Sequence, residues 1–271
     1  MIASTMTRAA RAGHRFDVRR LTSIAAAVLV ATACGTKDAA DPLAPTGPMG
    51  RIRFVNLITD PARNPVNAIL EGLPFGVSLA YTGSTPSSLP APSTANYSPI
   101  LDGARTLVLK KTADTTVTVA TLPVTIAANN DHTVFATGGT AGGTVSAFVT
   151  VDVNTAPPTG QARIRVVNMS PTAGAVDVFI TAQNADLATA TPVATGLANR
   201  TVFAGAAVAP GTYQIRTVPA GTAPAARAAA VNTNLTGTSA VVVAAGNGRT
   251  IVIADAAAGG TPLRSFALTD Q

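Results

Sequence analysis

Tryptophan is absent from the 271 residues, cysteine occurs once and histidine twice. Charged side chains make up 12% of the chain, where an ordinary soluble domain carries about 25%. A lone cysteine rules out an intramolecular disulfide. With Cys34 as the one thiol and His132 as the one imidazole beyond residue 33, the usual nitrogen and sulfur ligands of a zinc centre cannot be assembled. No metal and no cofactor is expected. Aromatic residues are 4% of the chain, which leaves little ring surface against which a sugar could stack. The chain also lacks a basic face. Its net charge of +6 comes mostly from five arginines in residues 1–33, against one aspartate there. From Cys34 onward fourteen basic residues meet twelve acidic ones, too even a balance to follow a phosphate backbone. Nucleic acid is therefore not an expected partner.

What the chain does have is alanine, threonine, valine and glycine, with 47% hydrophobic residues. Small and β-branched side chains between glycines and prolines favour short strands and tight turns over long helices. At the N-terminus, an arginine-rich stretch precedes an uncharged run over residues 21–33. That run is shorter than the roughly 20 residues of a spanning helix, and the pattern is that of a secretory signal peptide. Its end, Val30-Ala31-Thr32-Ala33-Cys34-Gly35, resembles the lipobox of bacterial lipoproteins. The resemblance implies cleavage before Cys34, acylation of that residue and attachment to the membrane through the lipid. Gly35, in place of a retention aspartate, points to the outer membrane of a bacterial envelope. Residues 34–50 contain three prolines and no hydrophobic period, so they form an extended tether.

Beyond the tether the chain repeats itself. Arg51-Ile52-Arg53-Phe54-Val55-Asn56 returns as Arg163-Ile164-Arg165-Val166-Val167-Asn168. Each copy opens a segment of domain size, at 51–153 and 162–271, with 154–161 as linker. Alternation predicts strands at 51–56, 66–70, 106–110, 115–120, 124–127, 133–136 and 145–153 in the first copy. In the second they are expected at 163–168, 176–180, 192–197, 201–208, 212–216, 227–232, 239–244, 249–254 and 263–268. Strands this short and this numerous predict an all-β protein of two tandem immunoglobulin-like β-sandwich domains. A Ser/Pro/Thr-rich stretch at 82–98 is expected to be an inserted surface loop.

The stretches ARIRVVNMSPTAGAVDVFITA (162–182) and APGTYQIRT (209–217) resemble the bacterial domain-of-unknown-function family 4397 (DUF4397). The first copy resembles it more loosely, through RIRFVN and NPVNAIL, and has Asp102-Gly103-Ala104-Arg105 where the family has a Gly-Thr-Tyr turn. The resemblance implies extracytoplasmic β-sandwiches, often in tandem and on lipoproteins. It implies no activity and supplies no catalytic residues.

The residues themselves point to a non-catalytic, lipid-anchored envelope protein. Its binding, adhesive or structural surface would meet a polysaccharide or a protein, through loops such as 82–98 and 138–143. The glycines at 138–143 lack the lysine and following helix of a phosphate loop. His132 is expected at a turn or strand edge. A hydrolase using Asp102, Asp131 or Asp177 is the alternative, though Asp177 alternates with valines as a solvent-facing residue would. A carbohydrate-binding module is a further one. The paired arginines, Arg51/Arg53 and Arg163/Arg165, have two readings: basic patches for acidic polysaccharide or lipid headgroups, or the solvated face of an edge strand.

Overall fold

Strand β1 (Met49–Ile58) is buried on both faces from Ile52 onward. A strand in a sheet covered on one side only would alternate between buried and exposed. A computed structural model, which describes residues 46–86, 96–235 and 240–270, shows the cause. Strands β2 (Val66–Leu70), β3 (Leu73–Leu79), β4 (Ser84–Thr85), β5 (Ser98–Leu101), β6 (Gly103–Lys111), β7 (Asp114–Ile126), β8 (Asp131–Gly138) and β9 (Val145–Asp152) complete the first copy. The second contains β10 (Ala162–Asn168), β11 (Val176–Thr181), β12 (Ala194–Leu197), β13 (Thr201–Val208), β14 (Gly211–Pro219), β15 (Thr233–Leu235), β16 (Val241–Val243), β17 (Gly248–Ala254) and β18 (Arg264–Thr269).

These strands form four sheets. In the first copy an inner sheet, β4-β1-β8-β9 with β5 also on β1, packs on an outer sheet, β3-β2-β6-β7. The second copy repeats this with β13-β10-β17-β18 inside and β12-β11-β14-β15 outside, where β16 joins β14. In both inner sheets the opening strand pairs in parallel with a late one, β1 with β8 and β10 with β17. Each sandwich has its own core. Ile52, Phe54 and Ile58 meet Val66, Leu107 and Leu122 in the first; Ile164 and Val166 meet Val176, Val178 and Ile215 in the second.

A further apolar cluster joins the two inner sheets. Val55, Leu57 and Phe135 pack with Val167, Met169, Val252 and Leu268. Because side chains alternate along a strand, Ile52 and Phe54 enter the core of their own sandwich while Arg53 and Val55 face the other sandwich. The same holds for Ile164 and Val166 against Arg165 and Val167. Residues 47–271 thus form one compact unit, with the sheets stacked outer, inner, inner, outer. The expected all-β sandwich architecture is present, and the repeated hexapeptide lies at its centre.

Some strand expectations are corrected. Residues 115–120 and 124–127 belong to one strand, β7, continuous from Asp114 to Ile126. Residues 227–232 are turn rather than strand; Arg227 lies with its guanidinium over the Phe179 ring and donates to the carbonyls of Leu187 and Ala190. Strand β3 was obscured by Pro74 and Gly76, which an edge strand tolerates. The stretch at 82–98 is more than an inserted surface loop. Its described ends supply β4, with Thr85 fully buried, and the buried Tyr97. Residues 87–95 lie outside the described residues.

Candidate functional site

The four arginines of the repeated motif have three different fates. Neither Arg53 nor Arg165 is on a solvated edge: β1 and β10 are interior strands of their sheets, and the two residues are 2% and 1% exposed. The other sandwich covers the face on which they lie. Both expectations for them, basic patch and solvated edge, are overturned by that contact.

Their partners are exchanged between the copies. Arg53 Nη2 lies 3.0 Å from Asp270 Oδ1, and Arg165 Nη2 lies 2.9 Å from Asp152 Oδ1. Asp152 and Asp270 follow from equivalent ends of β9 and β18, and Thr133 and Thr250 donate to them from equivalent positions on β8 and β17. The pairing is therefore quasi-twofold in its charges, though unequal in its details. Arg53 also donates to Thr133 Oγ1 and to the carbonyl of Thr269, and its guanidinium lies 4.5 Å from the centre of the Tyr97 ring. Tyr97 in turn donates to Asp152 at 2.7 Å. Nε and Nη1 of Arg165 are buried with no hydrogen-bond partner among the described residues. Burial pushes the Asp152 carboxyl upward, but Arg165 and Arg53, helped by Thr133 and Tyr97, outweigh it and hold the group below the ordinary aspartate range. Burial raises the Tyr97 phenol, so it remains a neutral donor.

Arg163 secures the linker, donating to the carbonyls of Val153 and Thr155. Arg51 is different. It forms a two-pronged ion pair with Asp131, at 2.5 and 2.6 Å, and its side chain stays 56% exposed. That pair borders an open cleft of about 570 Å³ at the end of the first sandwich. The Asn129-Asn130 turn before β8 forms one wall, and Val151, Val153, Asn154 and Thr155 form another. Val151 and Val153 are 57% and 44% exposed. Asn154 donates to Asp131 from the far side. The hydrogen bonds that Arg51 donates to Asp131, ahead of Coulomb attraction, raise its guanidinium further, so it is cationic throughout the useful pH range.

The other candidates resolve into structural roles. Asp177 is buried rather than solvent-facing, because its carboxylate accepts from the backbone N–H groups of Gly196 and Gly221. Asp131 and Asp177 sit in different sandwiches. Asp102 is half-buried at the β5–β6 turn, where its carbonyl accepts from Arg105. His132 is buried at the start of β8; Nε2 accepts from the N–H of Ala127 at 3.2 Å, and Nδ1 faces the carbonyl of Arg51. The glycine-rich turn between β8 and β9 is held by Arg63, which donates to the carbonyls of Gly142 and Gly143. Among the described residues no three His, Cys, Asp or Glu side chains are grouped to hold a metal ion. None of their helices is long and apolar enough to cross a membrane. Cys34, its signal sequence and most of the tether lie outside the described residues.

The cleft was missed in the sequence because its walls come from three separate stretches. The one available signal was an internal difference: Asp131 faces Arg51 across β1 and β8, whereas the residue facing Arg163 is Gly248.

The class is that of a tandem β-sandwich protein. Residues 50–179 match the family Domain of unknown function (DUF4397), so the resemblance carried by the repeated motif holds over that stretch. The match covers the first sandwich and the opening strands of the second, although the closer motifs lie in the second. No curated protein matches the chain. A crystal structure of CBMbc, a family CBM26 module of Eubacterium rectale Amy13K in complex with maltoheptaose, is 8% identical. It covers 81% of this chain and 95% of its own, with a TM-score of 0.21. A leucine-rich repeat protein from Bacteroides thetaiotaomicron is 10% identical, covers 80% and 26%, and has a TM-score of 0.19. At such scores neither likeness bears on the fold or the ligand.

Proposed function

We propose that this protein is a non-catalytic binding module of the bacterial envelope, anchored by lipid on Cys34, in which two sandwiches act as one rigid body. The cleft beside the Arg51–Asp131 pair is the observation that carries the reading. The other motif arginines are occupied, Arg53 and Arg165 in the interface and Arg163 on the linker. Arg51 alone presents its pair to an open concavity. Arg51 stays 56% exposed over a buried Asp131 carboxylate, so the pair both holds that carboxylate and faces the cleft.

The signal pattern and the cysteine that follows it support outer-membrane attachment. Cys34→Ser is expected to move the protein from the membrane fraction to the soluble extracytoplasmic fraction. Retention of the variant on washed membranes would overturn the anchor. For the binding role, the fluorescently labelled Cys34→Ser protein is expected to bind isolated envelope fractions, and Arg51→Ala is expected to weaken that binding. Equal retention of both would remove the cleft from the function.

A further inference from the structure

The two copies provide an internal control on the cleft. At the equivalent place in the second sandwich, Gly248 replaces Asp131 opposite the motif arginine, and Thr269 replaces Val151. Arg163 is drawn onto the linker, and Pro157, Gly248 and Asp270 close around it. Among the described residues the same strand position therefore folds without an ion pair and without an open cleft. What the first copy adds is not required by the architecture, and all of it faces one concavity.

The chemistry of that concavity is specific in kind. Its full charges cancel, since Asp131 takes Arg51 in two-pronged contact and Asp152 is held by Arg53 and Arg165. The remaining wall includes the amides of Asn129 and Asn130, the edge of the Arg51 guanidinium turned away from Asp131, and the hydrocarbon of Met49, Val151 and Val153. An amide both donates and accepts, as a hydroxyl does. Small exposed aliphatic groups match the C–H faces that alternate with hydroxyls around a sugar ring. A carboxylate or phosphate ligand would find a guanidinium already neutralised, and an apolar ligand would have to strip water from the amides without replacing their hydrogen bonds.

We infer that the cleft takes an uncharged polyhydroxylated ligand, a short stretch of neutral glycan. This rests on the binding-module reading above and narrows it to one ligand class. With little aromatic surface in the cleft, affinity comes from hydrogen bonding and is modest, so multiple copies on a membrane supply avidity.

The test uses the Cys34→Ser protein and its amide NMR spectrum, titrated with cellohexaose, laminarihexaose, mannohexaose and xylohexaose, and separately with polygalacturonate. At least one neutral oligosaccharide is expected to shift the signals of Asn129, Asn130, Val151 and Val153. Arg51→Ala is expected to weaken its binding about tenfold or more, as loss of a charged donor does. Val151→Glu, at an exposed site that should not disturb folding, is expected to weaken it as well, and Lys110→Ala on the outer sheet to leave it unchanged. Salt-sensitive binding of polygalacturonate alone would overturn the neutral ligand, and so would silence toward all four sugars. If Arg51-dependent binding to envelope fractions survives that silence, the module reading stands and the ligand is of another class, such as protein. If envelope binding ignores Arg51, both readings fall.

Discussion

Arg53 and Arg165 occupy equivalent positions in the two copies but do not contribute equally. Arg53 satisfies Thr133, Thr269, Asp270 and the Tyr97 ring, whereas among the described residues Arg165 has a single short contact to Asp152 and two buried nitrogens without partners. Removing one side of a well-connected buried pair typically costs about 3–5 kcal/mol. Arg53→Met is expected to fall in that range by urea denaturation, because Asp270 and Tyr97 are left in place without their cation. Arg165→Met keeps the aliphatic stem and leaves Asp152 still bonded to Arg53, Tyr97, Thr133 and Thr150. Its cost is expected to be smaller by about 1–2 kcal/mol. Equal losses would show that the exchanged pairs, and not their surrounding hydrogen bonds, set the energetics. The asparagine that ends each motif is also decipherable at this scale. Asn56 and Asn168 each accept from the N–H two residues on and donate to carbonyls of the crossing segment, Leu79 and Ala80 in one copy, Gly174 and Leu197 in the other.

At the scale of the element, β13 shows how one strand makes room for the interface. Its pairing with β10 shifts register between Ile164 and Val166, a bulge opposite the two arginines. Gly205 sits there with φ +123, and a Cβ on it would lie 2.9 Å from Cγ of Arg163 and 3.1 Å from Cγ of Arg165. Only glycine adopts that backbone without strain, and here it also leaves space for two side-chain stems. Gly205→Ala is expected to cost about 1–3 kcal/mol through overpacking and backbone strain, read as a lowered Tm. No change in Tm would mean that the arginine stems move aside freely. The outer strand β11 makes another such provision. Phe179 on its outer face is covered by Leu187, Val231 and the Arg227 guanidinium, so the turn at 227–232 serves as a lid on the sheet where the sequence suggested one more strand.

For the whole molecule, the inner-sheet contact determines how the copies behave together. An apolar half, from Val55 to Leu268, excludes water from a polar half in which two arginines meet two aspartates. Asp152 is held below the ordinary aspartate range. Its contribution is therefore present above the unfolded value of about 3.9 and is lost as pH falls through the lower folded value. Unfolding followed by tryptophan-independent far-UV circular dichroism is expected to show stability falling below about pH 4. Asp152→Asn is expected to be less stable than the parent near pH 7, by about 3–5 kcal/mol, with the difference narrowing in acid. A difference that stayed constant with pH would remove the carboxylate from that role.

Composition and alternation alone determined that the chain is all-β and that it is built twice. Those features follow from local preference and side-chain period, which need no partner surface. The core positions Ile52, Phe54, Ile164 and Val166 were readable for the same reason. The destination of the alternate residues was not. On a strand, Arg53 facing water and Arg53 facing a second sheet have identical sequence, and only the packing of one copy on the other distinguishes them. The cleft depends on the same long-range assembly: Arg51, Asp131 and Val151 are far apart in the chain, and β1 pairing with β8, and β8 with β9, brings them around one concavity.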